Sequence, residues 1–74
     1  MELKDIFISI GEELARAEEL FPPFNSAHEG YAVILEELDE VWDEIKANDL
    51  VKAREEMIQV AAMAVRFLIE LDDE

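Results

Sequence analysis

Six carboxylates, Glu36, Glu37, Asp39, Glu40, Asp43 and Glu44, fall within nine consecutive residues of the stretch Ile34–Lys46. If this stretch is helical, Ile34, Leu38, Val41 and Ile45 share one face, and Glu37, Glu40 and Glu44 run in a stripe along its border. Glu37 and Glu40 are then separated by a rise of only about 4.5 Å, so two carboxylates can approach one hard cation from the same side. Oxygen-only donors favour Mg²⁺, Mn²⁺ or Ca²⁺ over softer metals. The same residues also fit a plainer reading, a solvated acidic face on an amphipathic helix.

A second group of polar residues lies further along. Glu56, Gln59 and Arg66 occupy neighbouring azimuths on an otherwise apolar segment, with Lys52 one turn before Glu56. Antiparallel packing of the two segments can set Glu56 and Gln59 opposite Glu37 and Glu40, which gathers three carboxylates and an amide around one volume suited to one or two Mg²⁺ ions. Spacing equally permits Glu37 and Glu40 to pair with Lys52 and Arg66 as interhelical salt bridges, worth about 0–1 kcal/mol each at exposed positions. His28 stands in the first turn of the acidic helix, where free amides and the macrodipole favour anions; it fits either a surface cap or a phosphate donor. Trp42, Tyr31 and Phe24 are the aromatic candidates for stacking on a base, and each fits the core as well.

Three helices are needed to position these groups. Leu3, Ile6, Phe7, Ile10, Leu14 and Ala17 recur at three- and four-residue steps, which predicts an amphipathic helix over 2–19. Gly11 costs it roughly 1 kcal/mol relative to Ala, either as simple tolerance or at a close helix crossing. Pro22 and Pro23 stop this helix near Leu20, and Phe21 and Phe24 beside them are expected to fold back over the helix ends. Ser26 followed by Glu29 fits the S-x-x-E capping box, so a second helix runs over 27–47. Asn48-Asp49 supplies a turn and an N-cap, and a third helix follows over 50–71. A turn this short predicts antiparallel neighbours. The segment Met57–Ile69 is apolar nearly all round, which predicts burial on most sides. Three short elements cannot surround it in one chain, so the expected architecture is all-α, three antiparallel helices in one domain over 1–74, associating into a homodimer or a dimer of dimers. Ile8, off the main stripe of its helix, is a candidate contact with a second chain, and the acidic end Asp72-Asp73-Glu74 is expected to fray.

The totals narrow the function classes. A chain of 74 residues, 51% hydrophobic and without cysteine, buries only about 60% of the surface it exposes when unfolded, and it has no disulfide or thiolate metal site to compensate. Six basic against twenty acidic residues leave a formal charge of −14, which repels nucleic-acid backbones and anionic membranes. The sequence shows neither a basic leader followed by an apolar run nor eighteen uninterrupted apolar residues, so a soluble cytoplasmic protein is expected.

The run Glu36-Glu37-Leu38-Asp39-Glu40, an E-E-x-x-E motif, followed by Glu56-Met57-Ile58-Gln59, resembles the all-α nucleoside triphosphate pyrophosphohydrolases of the MazG-like group. Their pattern is E-E-x-x-E, a gap, then E-x-x-D, and the resemblance extends over roughly residues 21–70. It implies Mg²⁺-dependent hydrolysis of a nucleoside triphosphate to the monophosphate and pyrophosphate, with Mn²⁺ as a possible substitute. It further implies Glu37, Glu40 and Glu56 as metal ligands, with Glu36 supporting them. Gln59 departs from the pattern: its amide oxygen can coordinate a cation, but it adds no charge and cannot act as a base. In this reading Glu36 or Glu40 orients the attacking water, Lys52 or Arg66 stabilises developing charge, and His28 and Trp42 contact the substrate. The alternative is a catalytically silent helical oligomer that binds nucleotide, metal or a protein partner.

Overall fold

A computed structural model describes residues 1–72. The expected acidic end therefore reaches Asp73 and Glu74, which lie outside the described residues. The chain forms three helices, α1 (Leu3–Leu20), α2 (Ala27–Lys46) and α3 (Leu50–Glu70), with no strand among the described residues. No helix is long and apolar enough to cross a membrane.

Local chemistry sets each boundary. Helix α1 ends where Phe21 turns extended (φ −127°, ψ 143°) ahead of Pro22, its amide still donating to the Ala17 carbonyl. Helix α2 starts at Ser26, whose Oγ accepts from the Glu29 amide at 3.1 Å. The Glu29 carboxylate reaches one residue further back than a capping box requires, accepting from the Asn25 amide at 2.8 Å and from Asn25 Nδ2 at 3.2 Å. Between α2 and α3, Asn48 adopts φ 58°, a left-handed conformation that Asn tolerates better than most residues. Asp49 Oδ1 then accepts from the Lys52 amide at 3.0 Å and caps α3.

Helix α3 is the central element: α1 and α2 each lie along it, while the backbones of α1 and α2 do not approach one another. The core is Ala17, Phe24, Ala62 and Met63, flanked by Ile10, Leu14, Val33, Ile34, Phe67 and Leu71. Phe24 folds in as expected and is buried, but Phe21 leaves its ring 54% exposed. Phe21 caps α1 through its backbone and stands at the rim of the cavity that Phe24 also borders.

The close approach between helices lies at Gly30, not Gly11. A Cβ at Gly30 would meet the Phe67 ring at 2.7 Å and Leu71 at 3.2 Å, whereas Gly11 faces open space. Burial of α3 within the chain is limited to Ala53, Ala62, Met63 and Arg66, and Met57, Leu68 and Ile69 are exposed. The accessible surface is 5539 Å², against about 4,700 Å² for a folded monomer of this mass. The radius of gyration of 12.8 Å likewise exceeds the roughly 11 Å of a compact chain of this length.

Candidate metal centre

Glu37 and Glu40 stand three residues apart on α2, so they share one side of that helix, and Glu56 stands early on α3. One carboxylate oxygen from each of Glu37, Glu40 and Glu56 lies within 4.8 Å of the others. Glu37 and Glu56 are half-buried and Glu40 is exposed. The Oε2 atoms of both Glu37 and Glu56 are buried with no hydrogen-bond partner, an arrangement that costs roughly 1–3 kcal/mol per group, and more when the group is charged.

The electrostatics follow from this crowding. Burial, then the charge and hydrogen bonding of Glu40, then the charges of Glu56 and Glu36 push the Glu37 carboxyl up to about 7. The Glu56 carboxyl is raised by burial, by a hydrogen bond and charge from Glu40, and by the Glu44 charge, against a smaller opposing bond from Glu37. Two carboxylates can bond each other only through a proton held between them, and the raised Glu37 and Glu56 carboxyls favour holding one.

No basic side chain meets this need. Among the described residues the ion pairs are Arg16–Glu13, Lys46–Asp43 and Arg66–Glu70, and none includes the three clustered carboxylates. Arg66, expected to meet Glu37, Glu40 or a phosphate, is instead 2% exposed. Its guanidinium donates to Glu70 at 2.9 and 3.2 Å and to the Pro22 carbonyl at 2.9 Å, and it stacks on Phe24 at 4.5 Å from the ring centroid. Glu70 in turn accepts from the Phe24 amide at 2.9 Å. These contacts make Arg66 a brace between the 21–26 segment and the end of α3. Lys52 and Glu36 are exposed.

Of the expected residues, Gln59 and Arg66 share a cavity with Glu37, while His28 and Trp42 lie elsewhere. Gln59, one turn after Glu56, lines a cavity of about 320 Å³ together with Glu37, Arg16, Val33, Phe24 and Met63. His28 borders a different groove, with Tyr31, Ile34, Ala64, Phe67 and Leu68. Trp42 is 56% exposed, with Lys46 Nζ 5.7 Å from its ring centroid. Arg16 was not singled out from the sequence. It borders the cavity with Glu37 and senses that carboxylate's charge, but on α1 it reads as one half of an ordinary exposed i,i+3 pair with Glu13.

Three oxygen donors, two of them with a buried unpartnered atom, fit a hard divalent cation such as Mg²⁺ or Mn²⁺. Comparison of the chain with protein-family models, with curated proteins and with solved structures gave no match.

Proposed function

We propose that this chain is a MazG-like, Mg²⁺-dependent nucleoside triphosphate pyrophosphohydrolase, converting an NTP or dNTP to its monophosphate and pyrophosphate. The observation that carries the reading is the pair of buried, unpartnered Oε2 atoms of Glu37 and Glu56 beside Glu40. Glu37, Glu40 and Glu56 would hold the cation, with Gln59 the nearest neutral donor in sequence. Bound Mg²⁺ or Mn²⁺ supplies charge neutralisation for the triphosphate and polarises water. The carboxylate of Glu36 or Glu40 orients the attacking water and takes its proton as the anhydride bond between the monophosphate and pyrophosphate portions breaks, the departing phosphate oxygen keeping the bonding electron pair. Lys52, exposed one turn before Glu56, is placed to meet phosphate oxygens, and Arg16 stands at the cavity beside Glu37; Arg66 is already committed to Glu70 and Pro22. His28 and Trp42 complete the set of substrate contacts in this reading.

We read the helices as antiparallel and the chain as a homodimer or dimer of dimers. Gly30, near the start of α2, lies against Phe67 and Leu71 near the end of α3, whereas Glu37 and Glu40 meet Glu56; positions later on α2 thus face positions earlier on α3. The surplus of exposed surface supports association. A cytoplasmic location accompanies this reading, since triphosphate substrates are made there and the chain has no cysteine.

A second reading, a silent helical oligomer that binds nucleotide, metal or a protein partner, is favoured by Gln59 at the position of the family's fourth acid. A screen for pyrophosphate release over the common NTPs and dNTPs, with and without Mg²⁺, separates the two. Release that requires the cation and disappears in Glu37→Ala is expected. Absence of turnover with every substrate, recovered in Gln59→Asp, would favour the silent reading.

A further inference from the structure

Arg16 is held by one residue, and that residue is on its own helix. Its Nε donates to Glu13 Oε2 at 3.3 Å and its Nη2 to Glu13 Oε1, with the Arg16 side chain 54% and the Glu13 side chain 19% exposed. Among the described residues no hydrogen bond or ion pair from α2 or α3 reaches it. Arg16 nevertheless lines the cavity of about 320 Å³ that Glu37 and Gln59 also line, and the Glu37 carboxylate acts on it through its charge.

The other cations are placed differently. Arg66 lines the same cavity but is committed to Glu70, the Pro22 carbonyl and the Phe24 ring. Lys46 pairs with Asp43 beside Trp42, and Arg54 contacts Met1 Sδ at 3.7 Å in a second groove, between α1 and α3. Lys4 and Lys52 are exposed.

We propose that Arg16 meets the phosphate chain of the bound nucleotide, turning from Glu13 to do so, and that Glu13 competes with the ligand for it. The proposal rests on the nucleotide reading above for the class of its ligand. Three features select this role. A guanidinium grips two oxygens of a phosphate as it grips two of a carboxylate, so the exchange preserves its hydrogen bonds. An exposed ion pair is weak and screened, whereas a triphosphate, still anionic with one Mg²⁺ bound, carries more charge than one carboxylate. A chain of charge −14 repels such a ligand, and a free-swinging cation beside the carboxylate cluster offsets that repulsion where the phosphates must enter. The guanidinium stays charged throughout, so no proton moves.

The probe is inorganic tripolyphosphate in excess Mg²⁺, a phosphate chain without base or sugar, titrated into the intact chain by isothermal titration calorimetry. Arg16→Gln is expected to weaken binding about tenfold or more, Arg16→Lys to recover part of that loss, and Glu13→Gln to tighten binding by up to about fivefold. A pair that merely braces α1 would give changes of the same sign in both. The gain from Glu13→Gln should vanish in the Arg16→Gln background; a gain that persists there reflects only the removal of a negative charge and overturns the competition. Unchanged affinity in Arg16→Gln overturns the proposal, as does a wild type that binds no tripolyphosphate, and both leave the hydrolase reading to its own mark, pyrophosphate release lost in Glu37→Ala. Arg16-dependent binding without pyrophosphate release from any nucleotide supports the phosphate contact and removes the hydrolysis. A larger thermal response to Mg²⁺ alone in Arg16→Gln, with tripolyphosphate affinity unchanged, would make Arg16 a counter-ion of the carboxylates instead. Should Arg16→Gln lose its helical circular dichroism, Arg16→Lys and Glu13→Gln decide.

Discussion

Glu37 on α2 and Glu56 on α3 each bury one carboxylate oxygen without a hydrogen-bond partner, and Glu40 closes the group within 4.8 Å. Three carboxylates held this closely with no basic side chain paired to them place a local electrostatic penalty on the fold. The cation proposed for this cluster would relieve that penalty, and its binding energy would add to folding stability.

The first prediction is therefore a thermal one. Mg²⁺ or Mn²⁺ at a hundred times its dissociation constant should stabilise the chain by about 2.7 kcal/mol, raising Tm by roughly 10–20 °C for a domain of this size. Thermal unfolding followed by circular dichroism checks this. Glu37→Ala should keep its helical signal and lose the response. A wild-type Tm indifferent to millimolar Mg²⁺ and Mn²⁺ would remove the metal centre.

Proton binding makes a second, metal-free prediction. Burial and the neighbouring carboxylates push the Glu37 carboxyl from its ordinary 4.5 up to about 7 in the folded chain, so between these values the folded state holds more protons than the unfolded one. Stability should therefore fall as pH rises from about 4.5 to 7, and the raised Glu56 carboxyl acts in the same direction. Glu70 acts oppositely. Burial tends to raise it, but the Arg66 hydrogen bond, the Phe24 amide and the Arg66 charge together lower it; its contribution is present above 4.5 and is lost as pH falls through its folded value. Urea midpoints should accordingly peak on the acid side of neutrality. Glu37→Gln should flatten the decline between pH 5 and 7, and a midpoint that climbs across that interval in the wild type would contradict the cluster's electrostatics.

The Arg66 brace predicts a large loss from a small change. With side chains only 3% and 9% exposed, Glu70→Ala leaves the guanidinium without its carboxylate and the Phe24 amide unbonded, a cost of about 3–5 kcal/mol. Arg66→Ala similarly frees Glu70 and the Pro22 carbonyl. The double replacement Arg66→Ala with Glu70→Ala should be less damaging than the two single losses added, as measured by denaturant midpoints in a double-mutant cycle.

The two glycines should respond in opposite directions. Gly11→Ala places its methyl in open space within α1 and should stabilise the chain by up to about 1 kcal/mol. Gly30→Ala drives a Cβ to 2.7 Å from the Phe67 ring and should destabilise it by about 1–3 kcal/mol. Equal effects at the two sites would contradict the close approach at Gly30.

The helix ends were readable to within one residue because each is set by neighbours in sequence: Pro22-Pro23 after α1, Ser26 with Glu29 before α2, Asn48-Asp49 before α3. The meeting of Glu37 and Glu40 with Glu56 was only one of two outcomes the spacing allowed, since it depends on how α2 registers against α3. The distant partners of Arg66 were illegible for a related reason. Its i,i+4 partner Glu70 was visible, but the Pro22 carbonyl and the Phe24 ring reach it from 44 and 42 positions earlier in the chain, and no local pattern encodes them. Gly30 carried no local signal either, because its purpose is set by the bulk of Phe67 on another helix.

The backbone of α1 lies close to α3 and not to α2, while α2 and α3 are additionally joined by a three-residue turn at 47–49. The α2–α3 pair is thus a helical hairpin closed by a short turn, and α1 lies against the α3 side of it. The carboxylate cluster belongs entirely to that hairpin, so displacing α1 would open the wall of the adjoining cavity that carries Arg16 and Ala17 while leaving the three carboxylates together.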